Sequence, residues 1–143
     1  MAFDNILVVC VGNICRSPMA AAILAKRYPT KYIDSAGVSA LVDHPADANA
    51  IAVMAAEHID MSAHIAKQIS EELVRKADLI LTMSISQTKW IEEKWPHCRG
   101  KVFRIGHWLE KDIKDPYGSP KSVFEVAKSN IIDSLEQWHK KII

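Results

Sequence analysis

With 143 residues, 49% of them apolar and 24% charged, the chain has the size and balance of one globular domain with a real core. Its formal net charge is +1, with 18 basic and 17 acidic residues interspersed, which is not the electrostatic footprint of a nucleic-acid or anionic-membrane partner. No apolar run nears the roughly 20 residues that cross a bilayer, so membrane insertion is not expected.

In chain order, residues 6–10 form a β-branched apolar run that predicts a buried strand. Residues 18–26 are rich in alanine and leucine and open with Pro18, a residue suited to a first helical turn, where no N–H is needed. A second strand is expected over 32–36. Ala48, Ile51, Ala52 and Ala55 then recur at helical spacing. A third strand, 79–83, runs into Ser84 and Gln87, which have the S-x-x-Q spacing of a capping box and announce another helix. After a fourth strand at 102–105 comes a long loop, 106–119. Ser119-Pro120 opens the last helix, with the stripe Phe124, Ala127, Ile131, Leu135, Trp138, Ile142. No repeat or linker interrupts the pattern, so one domain, 1–143, is expected.

Strands alternating with helices imply an α/β fold: a parallel sheet flanked by helices in three layers, with right-handed crossovers. Ligands of such sheets sit beyond the carboxyl ends of the strands. Two segments fall there, the loop after the first strand and the 106–119 loop.

The first of these reads V-V-C-V-G-N-I-C-R-S-P, residues 8–18. Gly12 and Asn13 tolerate left-handed backbone at little cost. A turn of that kind aims successive N–H groups at one point, an anion-binding nest. The helix near Pro18 adds its positive end, and the planar fork of Arg16 suits two phosphate oxygens. The same surroundings favour the thiolate form of a cysteine, which makes Cys10 the candidate nucleophile. Ser17 is placed to donate to that sulfur.

The motif C-V-G-N-I-C-R-S-P resembles the phosphate-binding loop of the low-molecular-weight protein tyrosine phosphatases. The resemblance continues through Asp34-Ser35-Ala36-Gly37, His64 to Ile69, Asp78 to Met83, Gly106-His107-Trp108 and Asp115-Pro116-Tyr117. Among its members the chain looks most like bacterial enzymes paired with tyrosine kinases of capsule and exopolysaccharide export. The resemblance implies a sheet order of 2-1-3-4. It also implies a phosphocysteine on Cys10, phosphate binding by Arg16 and general acid catalysis by Asp115, with Asn13 holding the loop in shape.

The chemistry calls for an acid of its own accord, because expelling a tyrosyl oxygen is easier when a proton arrives as the P–O bond breaks. The 106–119 loop offers Glu110, Asp112 and Asp115. Pro116 stiffens the backbone after Asp115, and Tyr117 supplies an aromatic wall. On the residues alone Asp112 stands nearly level with Asp115; the resemblance selects Asp115.

Val11, Gly12, Asn13, Ile14, Cys15 and Ser17 complete the expected phosphate site, with Tyr117 and Leu41 as walls for a phenyl ring. Vertebrate members carry tryptophan in the loop of Leu41. Related arginine phosphatases carry threonine where this chain has Ile14, which favours phosphotyrosine. Cys15 either packs or forms a reversible disulfide with Cys10 under oxidant. His44 and Asp47 are expected at the loop surface, His64 and His107 as tethers, and the four tryptophans over the core.

Six histidines and three cysteines show no zinc-ligand spacing, and nucleotide-binding motifs are absent, so neither metal nor cofactor is expected. The opening MAFDNILVVC lacks a basic signal-peptide region, and Cys10, Cys15 and Cys98 make no disulfide framework; a cytoplasmic monomer is expected. The expected partner is a phosphotyrosine protein, by resemblance the cytoplasmic tail of a membrane tyrosine kinase, with inorganic phosphate as product. Two rivals remain: an arsenate reductase, which needs two further relay cysteines in a downstream loop where this chain has only Cys98 beyond the phosphate loop, and a non-catalytic anion or phosphopeptide sensor, which needs neither Cys10 nor Asp115.

Overall fold

A computed structural model describes residues 3–143. The order is β1 (Asn5–Cys10), α1 (Arg16–Arg27), β2 (Tyr32–Gly37), α2 (Ala48–Ala55), α3 (Glu71–Lys76), β3 (Leu79–Thr82), α4 (Ile85–Lys94), β4 (Val102–Arg104) and α5 (Lys121–Ile142). Short 3-10 turns occupy Pro96–Cys98 and His107–Leu109. The sheet is wholly parallel in the order β2-β1-β3-β4. Strand order therefore reverses at β1, and the crevice beyond the ends of β1 and β3 is where such a sheet takes a ligand.

Alternation along β1 divides the core. Ile6, Val8 and Cys10 pack with α1, α2 and α5, whereas Leu7 and Val9 pack with α3 and α4. A strand buried on both faces reads as continuous apolar sequence, which is why 6–10 shows no alternation. In α5 every member of the predicted stripe is buried, and Trp138 Nε1 donates to the Ile105 carbonyl at 2.8 Å.

Several details differ from the sequence reading. The first helix starts at Arg16, so Pro18 is its third residue, still within the turn that needs no N–H donor. The capping box of α4 is shifted: Ser84 Oγ accepts from the Gln87 amide, but Gln87 Oε1 reaches back to the Met83 amide. Helix α3 was not foreseen. Its six residues are too few for a periodic signal, and only Ser70, whose hydroxyl accepts from the Leu73 amide, marks its start. The tryptophans divide as well, with Trp95 and Trp138 buried, while Trp90 and Trp108 stand 36% and 44% exposed.

Lys128 joins α5 to α2. Its Nζ is nearly buried and donates to the Val53 carbonyl at 3.1 Å, and it pairs with Glu57 and Glu125 at 3.3 and 3.1 Å. Burial pulls its pKa down, but the hydrogen bonds and charges of Glu125 and Glu57 outweigh that and raise it. A raised folded-state pKa contributes stability in full below the unfolded value of about 10.4, lost as pH climbs through the folded value. Lys128→Met leaves the Val53 carbonyl without its donor, so urea unfolding at pH 7 should show a loss of about 1–3 kcal/mol. That deficit should narrow only above the ordinary lysine range; an equal deficit at every pH would disprove the ionic share.

Candidate active site

The loop from Cys10 to Arg16 faces outward with its carbonyls. Those of Cys10, Val11 and Gly12 accept from the amides of Val38, Ser39 and Leu41, each at 3.0 Å. The Asn13 carbonyl accepts from His64 Nε2 at 2.7 Å, and the Ile14 carbonyl accepts from the Asp47 amide at 2.8 Å. In a trans peptide the next N–H opposes the carbonyl. Five carbonyls tied outward therefore turn the amides of residues 11–15 inward, toward a common point. The Cys15 carbonyl starts α1 by accepting from Met19 N, and Pro18 has no N–H to leave unsatisfied.

Asn13 makes this path possible. Of the two residues expected to bend the loop it is the one in the left-handed region, with φ of 59°. Its buried amide group is fully engaged: Nδ2 donates to Ser17 Oγ at 2.8 Å and Ser35 Oγ at 3.0 Å, while Oδ1 accepts from the Lys67 amide at 3.0 Å. Gly37 is needed too, because a Cβ there would collide with the Val11 carbonyl.

Cys10 Sγ lies at the base. It accepts from the Asn13 amide at 3.3 Å and stands 2.9 Å from Ser17 Oγ. Ser17 already accepts from Asn13 Nδ2, so its own proton is free for the sulfur. At Cys15, burial, with the charges of Asp47, Asp115 and Cys10, pushes the pKa up to about 12 against the pull of Arg16. Cys15 is held as a neutral thiol.

Over the sulfur opens a pocket of about 190 Å³ lined by Cys10, Val11, Gly12, Ile14, Cys15, Arg16, Ser39, Leu41, Asp115 and Tyr117. Nine of the eleven predicted site residues are in that lining; Asn13 and Ser17 lie behind the loop and are fully buried. Ser39 was not foreseen as a lining residue. Arg16 bridges the two loops, with Nη1 donating to the Ile113 carbonyl at 2.8 Å and Nη2 standing 3.7 Å from Asp115 Oδ2. Asp115 Oδ1 accepts from the Tyr117 amide at 3.1 Å, and its side chain is half exposed at the pocket mouth. Asp112 is outside the lining, its carboxylate engaged by Arg104 and the Ile85 amide. Of the expected tethers His64 acts on the loop, whereas His107 packs among Phe103, Trp108 and Trp138.

Along nearly its whole length the chain is similar to known proteins. Residues 5–143 match the model of the family described as low molecular weight phosphotyrosine protein phosphatase. The chain is 49% identical over 142 residues to the low molecular weight protein-tyrosine-phosphatase Ptp of Acinetobacter johnsonii, covering 99% of this chain and all of the relative. It superposes on Vibrio vulnificus Wzb in complex with benzylphosphonate with a TM-score of 0.94 at 40% identity, covering 98% and 99% of the two chains. The tyrosine phosphatase Wzb of Escherichia coli K30, in complex with sulphate, gives 0.93 at 39% identity and 99% of each chain.

Fold and matches together define a metal-independent cysteine phosphatase. The chain belongs to the low molecular weight phosphotyrosine protein phosphatase family and is a protein-tyrosine phosphatase.

The three cysteines differ in environment, since Cys10 opens on the pocket, Cys15 is held as a neutral thiol and Cys98 is wholly buried. Iodoacetate at neutral pH should therefore alkylate Cys10 alone and inactivate in proportion, with inorganic phosphate slowing both. Peptide mapping that finds the label on Cys15 would contradict the arrangement.

Proposed function

We propose that phosphotyrosine is hydrolysed in two displacements at Cys10. The sulfur attacks phosphorus in line, forming the S–P bond as the P–O bond to the phenol breaks, and Asp115 gives its proton to the departing oxygen. Asp115, now a carboxylate, takes a proton from water that attacks phosphorus; the S–P bond breaks, and inorganic phosphate leaves. The observation that carries this reading is that the loop carbonyls are all paired away from the pocket, while Cys10, Arg16 and Asp115 line it together. Amides fixed before the reaction stabilise the equatorial oxygens at little reorganisation cost, which is commonly the largest part of such catalysis.

Val11, Gly12, Asn13, Ile14, Cys15 and Ser17 bind or support the phosphate, and Leu41 and Tyr117 flank the ring. The apolar sides of Ile14, Leu41 and Tyr117 suit a flat phenyl group. The complex of the Vibrio relative with benzylphosphonate supports an aryl ligand in such a pocket. Cys98 lies in the core on the other face of the sheet from Cys10, which disfavours an arsenate-reducing relay.

The physiological substrate on this reading is the phosphorylated tail of a membrane tyrosine kinase in capsule or exopolysaccharide export. It is supported by likeness to the Wzb and EpsP relatives. No described helix is long and apolar enough to cross a membrane. The proposed site is complete within one copy of the chain, acting as a cytoplasmic monomer.

Asp115→Asn should lower turnover of phosphotyrosine about 10²–10⁴-fold, the usual share of a general acid. Acid quenching during turnover should trap phosphate on Cys10, and Cys10→Ser should abolish both trapping and activity. Undiminished turnover by Asp115→Asn, or trapped phosphate on another residue, would refute the mechanism.

A further inference from the structure

The loop that carries Asp115 is fastened at a point the mechanism does not use. Asp112 Oδ1 accepts from the Ile85 amide at 3.1 Å and from Arg104 Nη1 at 3.0 Å. Ile85 is the first residue of α4 and Arg104 the last of β4. One carboxylate oxygen thus joins a helix start, a strand end and the acid loop.

We propose that Asp112 is a positioning residue: held by Arg104 and the first turn of α4, it sets the register in which the loop presents Asp115 to the leaving oxygen. The proposal rests on the reading of Asp115 as the general acid.

The rest of the loop shows why one clasp matters. The Lys111 amide donates to the Gly106 carbonyl at 3.1 Å, and a Cβ at Gly106 would collide with the Lys111 carbonyl. Ile113 is buried, its amide donating to the Met83 carbonyl at 2.8 Å and its carbonyl accepting from Arg16 Nη1. The chain is therefore fixed at 106–113. Beyond that, Asp115 keeps a distance of 3.7 Å to Arg16 and a local bond to the Tyr117 amide. Its placement is inherited from residues 112 and 113.

The helix start also needs Asp112. Ser84 Oγ takes the Gln87 amide and Gln87 Oε1 takes the Met83 amide, which leaves the Ile85 amide to the carboxylate. An anion is favoured there by the positive end of the helix. Yet the Asp112 side chain is 52% exposed, and ion pairs that open to water add little to stability. What its removal costs is alignment, and a displacement of about 1 Å at a reacting group can cost about 10²-fold in rate.

A misaligned acid has a signature that general damage lacks. Poor leaving groups need the proton, and good ones hardly do. The test compares kcat/KM for phenyl phosphate and 2,4-dinitrophenyl phosphate in wild type, Asp112→Ala, Arg104→Met, the double variant and Asp115→Asn. Asp112→Ala and Arg104→Met should each lose about tenfold on phenyl phosphate and less than about twofold on the dinitrophenyl ester, consistent with loss of positioned proton transfer. The double variant should be no worse than either single, and competitive inhibition by inorganic phosphate should be unchanged. If Asp112→Ala does not fold, Asp112→Asn replaces it, and Arg104→Met gives the same comparison.

Equal loss on both esters, or none on either, overturns the positioning role. Should Asp115→Asn itself treat the two esters alike, it is the acid assignment that fails. Where Asp115→Asn discriminates and Asp112→Ala does not, only the positioning role fails.

Discussion

The site depends on one constraint: the carbonyls of residues 10–14 must all be satisfied away from the pocket. A loop that bends so tightly cannot pair its polar groups with itself, and buried unpaired carbonyls are costly. Here the donors come from elsewhere, the amides of Val38, Ser39, Leu41 and Asp47 and the ring of His64. Once the acceptors are tied outside, the donors have nowhere to aim but inward. The inward-facing amides above Cys10 follow from hydrogen-bond accounting on the far side of the backbone.

That accounting explains what was legible in the sequence. Cys10, Gly12, Asn13, Arg16 and Ser17 lie within eight residues, and their chemistry is local, so a strand, a flexible turn and a proline-bearing helix suffice to suggest an anion site. The strands were legible because β1 and β3 are buried on both faces and read as unbroken apolar runs. The supports were not. Lys67 contributes a backbone amide, and Ser39 contributes a backbone amide and a place in the wall; neither role depends on a side chain that sequence could flag. His64 was readable as a tether, but its partner 51 residues away was not. The exposed Trp108 was unreadable for a related reason, since its neighbour Lys141 comes from the end of α5 and covers its face at 5.5 Å.

The second loop shows the same division. Three acids within six residues cannot be ranked by composition, since each is an exposed loop carboxylate. Tertiary partners separate them. Asp112 is spoken for by Arg104 and the Ile85 amide, while Asp115 looks into the pocket over Arg16. The sheet order makes the difference, because only the ends of β1, β3 and β4, side by side, bring Cys10, Met83 and Arg104 to one edge.

Arg16 draws the two loops into one machine. Its guanidinium has five N–H donors in a rigid fork. One is committed to the Ile113 carbonyl, which leaves others for phosphate oxygens, and it is nearly buried, so it cannot relax into solvent. A lysine could supply the charge but not both geometries at once. The same planar group that lines the pocket also holds the backbone two residues before Asp115, so the 106–119 loop is tied to the floor of the pocket through Arg16. The distance from Cys10 to Asp115 across the pocket is then held by Arg16 at Ile113 together with the clasp at Asp112, instead of by two independent loops.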